Sequence, residues 1–380
     1  MNPIPVNTPL LGVLEKEYLC ECIETGWISS EGPFVKSFES EFAAWVGRDA
    51  GIAVANGTAA LDIAVRALGV SDGDEVICPS FTIISCAQAI LNSGGLPVLV
   101  DACPLTWNMK PEDIRAKITD KTRAIMLVHI YGLPVDLDPI LELAEEFNLK
   151  IIEDAAEVHG QTYKGKPCGS FGDISTFSFY PNKHITTGEG GMLVANDPEL
   201  IDRCRSLRNL CFQPEQRFVH EELGWNYRMT NLQAALGLAQ LKRADEIVAA
   251  KRELGSRYEE AFKELPFFER APTRVDFAEN IYWVFGLVVA DDAPFTRDEI
   301  TSYLASQKIG TRPFFWGMHE QPVFRKQGLF LGSSYPVTER LGRRGFYLPS
   351  GLGLSDDDQR RVIDAVWSFC NGAAKRDEGL

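Results

Sequence analysis

The 380-residue chain has no stretch approaching the roughly 20 consecutive apolar residues of a membrane span, and Glu15 and Glu17 stand where a secretory signal needs an apolar core. It has no run of Lys and Arg to set against 53 acidic and 38 basic side chains, a net charge of -15. A nucleic-acid reader or a membrane-surface binder needs a concentrated basic face, so neither partner is expected. No Cys-x-x-Cys pair occurs among nine scattered cysteines, and Cys20 with Cys22 lacks a second half. A disulfide framework and a structural metal site are therefore not expected, and a reduced cytoplasmic setting is. Internal repeats and low-complexity tracts are also missing.

What remains is an ordinary globular composition, 45% hydrophobic and 24% charged, in a chain longer than one core usually organises. We expect a large domain over residues 1–245 and a smaller α+β domain over 246–380. Between residues 51 and 200, short apolar runs alternate with helix-length amphipathic segments. Gly51–Ala55, Glu75–Cys78, Leu96–Val100, Arg123–Val128 and Lys150–Ile152 are continuous and bounded by Gly, Pro or Asp, as strands buried on both faces tend to be. Thr176–Phe179 and Met192–Ala195 complete a mainly parallel, doubly wound sheet. The spacing after Thr230 predicts one amphipathic helix from Asn231 to about Tyr258, and Tyr282–Val289 reads as a strand of the smaller domain.

Ligands of such sheets sit beyond the carboxyl ends of the strands. Three of those ends carry chemistry. Asn56-Gly57-Thr58 passes from a strand into a helix, where free amides, the helix dipole and a hydroxyl can hold a phosphate; a plain helix cap is the alternative. Ile151-Ile152-Glu153-Asp154 ends an apolar strand in carboxylates that need a cationic or donor partner. Ser178-Phe179-Tyr180-Pro181-Asn182-Lys183 puts a lysine before a Gly-rich turn, where partial desolvation would make it an amine nucleophile. A phosphate cradle, a buried carboxylate and a nucleophilic lysine together are what pyridoxal 5'-phosphate requires.

These motifs, with Glu153-Asp154-Ala155-Ala156-Glu157, Gly188-Glu189-Gly190-Gly191 and Asn226-Tyr227-Arg228-Met229-Thr230, resemble the nucleotide-sugar aminotransferases of the DegT/DnrJ/EryC1/StrS family. The likeness runs in order over nearly the whole chain. It implies the aspartate aminotransferase type of fold (fold type I, a pyridoxal-phosphate-dependent transferase fold) with a seven-stranded, mainly parallel sheet. It also implies a homodimer with active sites at the interface. By resemblance, Lys183 is the lysine that bonds the cofactor and Asp154 the partner of its ring nitrogen. Gly57, Thr58 and Ser178 would bind its phosphate, Asn226 would reach it from the other subunit, and Glu157 would sit near its ring oxygen.

The resemblance further implies L-glutamate as donor and C4 of a nucleotide-linked 4-keto-6-deoxy sugar as acceptor, GDP-4-keto-6-deoxy-D-mannose being favoured over UDP- or dTDP-linked sugars or attack at C3. A related dehydratase chemistry carries histidine at the catalytic position, but the Pro-Asn-Lys spacing places Lys183 there and His184 after it. A non-catalytic binding protein is disfavoured by Lys183 and Asp154 together. Trp27, Ser29, Arg312 and His319 are candidate substrate contacts. Ile83 stands where the family commonly has a ring to stack on the cofactor, leaving either an aliphatic contact or compensation by Phe81.

Overall fold

The computed structural model describes residues 2–213 and 215–377. Seven strands form the main sheet: β1 (Ala50–Val54), β2 (Glu75–Pro79), β3 (Leu96–Val100), β4 (Thr122–Val128), β5 (Lys150–Asp154), β6 (Ile174–Ser178) and β7 (Gly191–Ala195). Their order is β1-β7-β6-β5-β4-β2-β3. Only β7 runs against the rest, pairing antiparallel with β1 and β6. The other neighbours pair in parallel. Ala124 to Val128 of β4 is buried throughout, because helices cover both faces. One face packs on Ile63, Ile90 and Leu207, and the other on Phe38, Phe42, Ile140 and Leu238.

The helix Asn231–Leu241 is the hub for the N-terminal helices Val13–Thr25 and Pro33–Trp45. Asn231 Oδ1 accepts the Phe34 amide at 2.8 Å, which starts the second of these helices, and its Nδ2 donates to the Trp27 carbonyl at 2.7 Å. Gly32 is required there, since a Cβ would lie 2.2 Å from the Asn231 side chain. The single long helix expected after Thr230 is in fact two, Asn231–Leu241 and Ala244–Phe262. No Pro or Gly marks the break. Arg243 sits at it, pairing with the buried carboxylate of Glu15 at 3.0 Å, so a tertiary contact overrides helix propensity.

A second, four-stranded antiparallel sheet is built from β8 (Phe268–Glu269), β9 (Phe285–Val289), β10 (Arg312–Pro313) and β11 (Gly345–Leu348), in the order β8-β9-β11-β10. Tyr258, Phe262, Leu304 and Val366 pack against it. The expected strand from Tyr282 starts only at Phe285, because Tyr282 adopts a left-handed backbone, φ 50°. The first sheet lies within residues 1–245 and the second within 246–380, while the extreme N-terminus crosses over: Ile4 bridges Ile309. All nine cysteines are free. Among the described residues no helix is long and apolar enough to cross a membrane.

Candidate active site

The carboxyl ends of β1, β5 and β6 open onto one cavity of about 640 Å³. After β1 the chain turns into the helix Gly57–Ala67, capped by Asn56, whose side chain accepts the Ala59 amide at 2.8 Å. Gly57 and Thr58 are the first two helical residues, so their amides have no intrahelical acceptor, and both residues line the cavity. Gly57 rests on Ser178: a Cβ there would approach that of Ser178 to 2.7 Å. Thr58 Oγ1 lies 2.8 Å from the hydroxyl of Ser85. Two amides and the hydroxyls of Thr58, Ser85 and Ser178 thus line a cradle for an anion at a helix N-terminus. Ser85 was not singled out in the sequence; it lies in the first turn of the helix Ile84–Asn92 after β2, but nothing local ties that helix to Thr58.

Asp154 ends β5 and lines the same cavity. Its Oδ1 accepts the Ala156 amide at 3.1 Å, and Oδ2 takes only the weak thiol donor of Cys86 at 3.5 Å. Burial pushes its carboxyl above the usual range, against the Ala156 amide, Lys183 and the Cys86 thiol. Glu153, one residue earlier, points to the other face and is fully absorbed by structure. It accepts from Phe171 N–H, Ser175 Oγ and His129 Nε2, at 3.0, 2.9 and 3.1 Å. His129 Nδ1 in turn accepts the Val135 amide, so the buried group His129, Glu153 and Cys168 has its ring nitrogens and carboxylate already committed within the protein.

Lys183 reaches the cavity from the loop after β6. Its Nζ stands 3.6 Å from Glu157 Oε1 and 3.7 Å from the centre of the Trp283 ring. Burial pushes its amine below the usual lysine range, opposed by Glu157 and Asp154. Burial likewise pushes Glu157 up to about 7, opposed by Lys183 and by the Tyr131 amide, which donates to Oε2 at 2.9 Å. His184 is turned into the core, with Nε2 on the Ile281 carbonyl at 3.2 Å. Lysine, not histidine, therefore faces the cavity.

The structure brings Gly57, Thr58, Asp154, Glu157, Ser178 and Lys183 together in this one cavity. Ile83 lines it, whereas Phe81 is buried behind, stacked edge-on to Tyr131; the contact at that position is aliphatic. The remaining candidates lie elsewhere. Asn226 is exposed and does not line the cavity of its own chain, although its neighbour Tyr227 does. Trp27 and Ser29 are exposed too, and their backbone carbonyls bind Asn231. Arg312 is exposed on β10, opposite Tyr347, which reaches the cavity. His319 as a substrate contact is corrected. It is wholly buried with both ring nitrogens engaged, by Ser80 Oγ at 2.8 Å and Glu339 at 3.2 Å.

The sequence reading missed Trp283 and Tyr347, both from the second half of the chain, which line the cavity beside Phe315. It also missed Asp62, a buried carboxylate held by Asn92 and Tyr227. Among the described residues lining the cavity Lys183 is the one cation, against Asp62, Asp154, Glu157 and Glu189. Anions are accommodated there by amides and hydroxyls, not by net charge.

The signature of the DegT/DnrJ/EryC1/StrS aminotransferase family matches residues 10–367. The chain belongs to this family. It is 42% identical to GDP-perosamine synthase of Escherichia coli O157:H7 over 97% of its length and 99% of that protein's. A protein of the same name from Caulobacter vibrioides is also 42% identical, over 96% and 97%. Among solved structures, DesV of S. venezuelae in complex with a ketimine intermediate superposes with a TM-score of 0.86 at 34% identity, covering 94% of each chain. The protein is thus a pyridoxal-phosphate-dependent sugar aminotransferase.

The residues present fit that cofactor. Gly57 leaves the room beside Ser178 that a methyl would fill, and Asp154 keeps one oxygen with no donor stronger than a thiol. That oxygen can take a ring N–H. Gly57, Thr58, Ser85 and Ser178 would hold the phosphate and Lys183 the aldehyde carbon.

Proposed function

We propose that the enzyme transfers the amino group of L-glutamate to C4 of GDP-4-keto-6-deoxy-D-mannose, giving GDP-perosamine for a surface glycan such as an O-antigen. It would act in the cytoplasm as a homodimer, residues 1–245 holding the cofactor and 246–380 closing over the substrate. The likeness to two GDP-perosamine synthases supports the acceptor. The observation that carries the reaction class is Lys183 in the cavity with His184 turned away. An amine there can both bond the cofactor and shuttle protons. The cation-poor cavity and the exposure of Asn226 support completion of the site by a second copy, the partner's Asn226 reaching the phosphate.

When bound, the cofactor supplies an electron sink for charge developing at the donor's α-carbon. Asp154 keeps an anion at the ring nitrogen, where burial makes its charge more effective than in water. Lys183 Nζ, once free, takes the proton from the donor's α-carbon; burial lowers its pKa and so favours the free amine that this step needs. Glu157 sets the charge balance beside it, and Trp283, Phe315 and Tyr347 exclude water. The test is glutamate with a panel of 4-keto-6-deoxy sugars on GDP, UDP and dTDP. Amination of the GDP-mannose derivative alone is expected. Amination only of UDP or dTDP sugars, or loss of water without an amino sugar, would overturn the assignment.

A further inference from the structure

Trp283 belongs to the second half of the chain, yet its indole face lies 3.7 Å from Lys183 Nζ, and it lines the cavity. It is fastened at two points. Its ring Nε1 donates to the carbonyl of Asn182 at 2.8 Å, the residue directly before Lys183. Its own carbonyl accepts from Lys251 Nζ at 2.8 Å, and the same ammonium donates to the Ser350 carbonyl at 2.5 Å. Ser350 is itself held, its hydroxyl accepting the Phe285 amide and donating to the Leu348 carbonyl. Lys251 thus joins three segments: the helix Ala244–Phe262, the turn before β9 and the turn after β11. A buried lysine with carbonyl partners is a costly way to make ordinary packing, since an apolar side chain fills the same space without desolvation.

We propose that Trp283 is a positioning residue for the transamination, a platform that holds the free Lys183 ammonium between its π face and Glu157, and that Lys251 pins this platform. The inference rests on Lys183 being the cofactor lysine. A cation over an indole is stabilised by the ring quadrupole, more so when dry, and Glu157 attracts it from the other side. The remaining titratable neighbours are Asp154, which also favours the charged amine, and His159 and His184. Burial pushes His159 down to about 3 and His184 well below the usual range, so both stay neutral across the working pH range. The platform therefore fixes where Lys183 rests when it is not bonded to the cofactor, and sets how readily it gives up its proton.

The test uses the full-length enzyme loaded with pyridoxamine phosphate, in which Lys183 is free. Reductive methylation of Lys183 is followed by mass spectrometry as a function of pH. W283L keeps the site apolar but removes the π face, and should lower the midpoint of Lys183 by about 0.5–1.5 units. W283F retains a face and should restore most of the shift, and K251M should move the midpoint in the W283L direction by less. In glutamate half-reactions W283L should slow the rate with little change in glutamate affinity. An unchanged midpoint in W283L, or W283F behaving as W283L does, would overturn the proposal. Should W283L fail to fold, fluorinated tryptophan provides the second readout: its weakened π face should lower the midpoint progressively with fluorine number, and a constant midpoint would overturn the proposal. No sugar is involved, so this result stands apart from the outcome of the acceptor panel.

Discussion

Lys251→Met removes a dry ammonium whose two hydrogen-bond partners are the carbonyls of Trp283 and Ser350. Burial alone pushes its amine from 10.5 to about 7. A shift of that size corresponds to about 5 kcal/mol of native-state cost, present in full below pH 7, where both native and unfolded chains hold the proton. Between pH 7 and 10.5 the unfolded chain binds a proton that the native one has released. Native stability therefore rises with pH, by about 1.4 kcal/mol per unit, and the cost is gone above 10.5. Methionine cancels this dependence but leaves two carbonyls without their donor, a pH-independent loss of about 1–3 kcal/mol each.

The two effects nearly offset at pH 7. By pH 9 the wild type should have gained about 3 kcal/mol relative to the variant. The neighbouring His184 does not blur this window, since its pKa lies well below it. The assay is denaturant unfolding of both proteins at one fixed concentration from pH 6.5 to 9.5. Parallel curves, or a gap that closes as pH rises, would refute the claim that Lys251 is a desolvated ammonium.

Gly57→Ala should weaken cofactor affinity at least about tenfold, because the added methyl meets Ser178 at 2.7 Å; titration with pyridoxal phosphate checks it. Asp154→Asn should keep the cofactor but slow the glutamate half-reaction about 10- to 150-fold, the worth of a charged hydrogen bond, read by stopped-flow absorbance. Glu157 ionises near pH 7, and its anion favours the ammonium of Lys183, so the wild-type half-reaction should show an inflection there. That inflection should vanish in Glu157→Gln, and its persistence would assign it to another group.

Much of this was legible because the decisive features are local. Buried parallel strands such as Arg123–Val128 need continuous apolar runs, and Lys183, Asp154 and Gly57 each sit where a strand ends, within a short recognisable motif. Trp283 was not legible, because its role depends on a fold that returns it to Lys183 from 100 positions away, and its local pattern is only that of a strand. The break at Arg243 was hidden for a similar reason: its cause is Glu15, far off in sequence. His319 shows the converse. The sequence offered it as a candidate substrate contact, but Ser80 and Glu339 already use both nitrogens.

The central claim is amino transfer through Lys183 to C4 of a GDP-linked keto sugar. Its most direct measurement is mass and NMR analysis of the product formed from nitrogen-15-labelled L-glutamate and GDP-4-keto-6-deoxy-D-mannose, with wild type and Lys183→Ala side by side. The structure predicts GDP-perosamine carrying the label on C4, and none from Lys183→Ala, whose Nζ is missing from the cavity. An unlabelled product, a dehydrated sugar without nitrogen, or equal turnover by Lys183→Ala would contradict it.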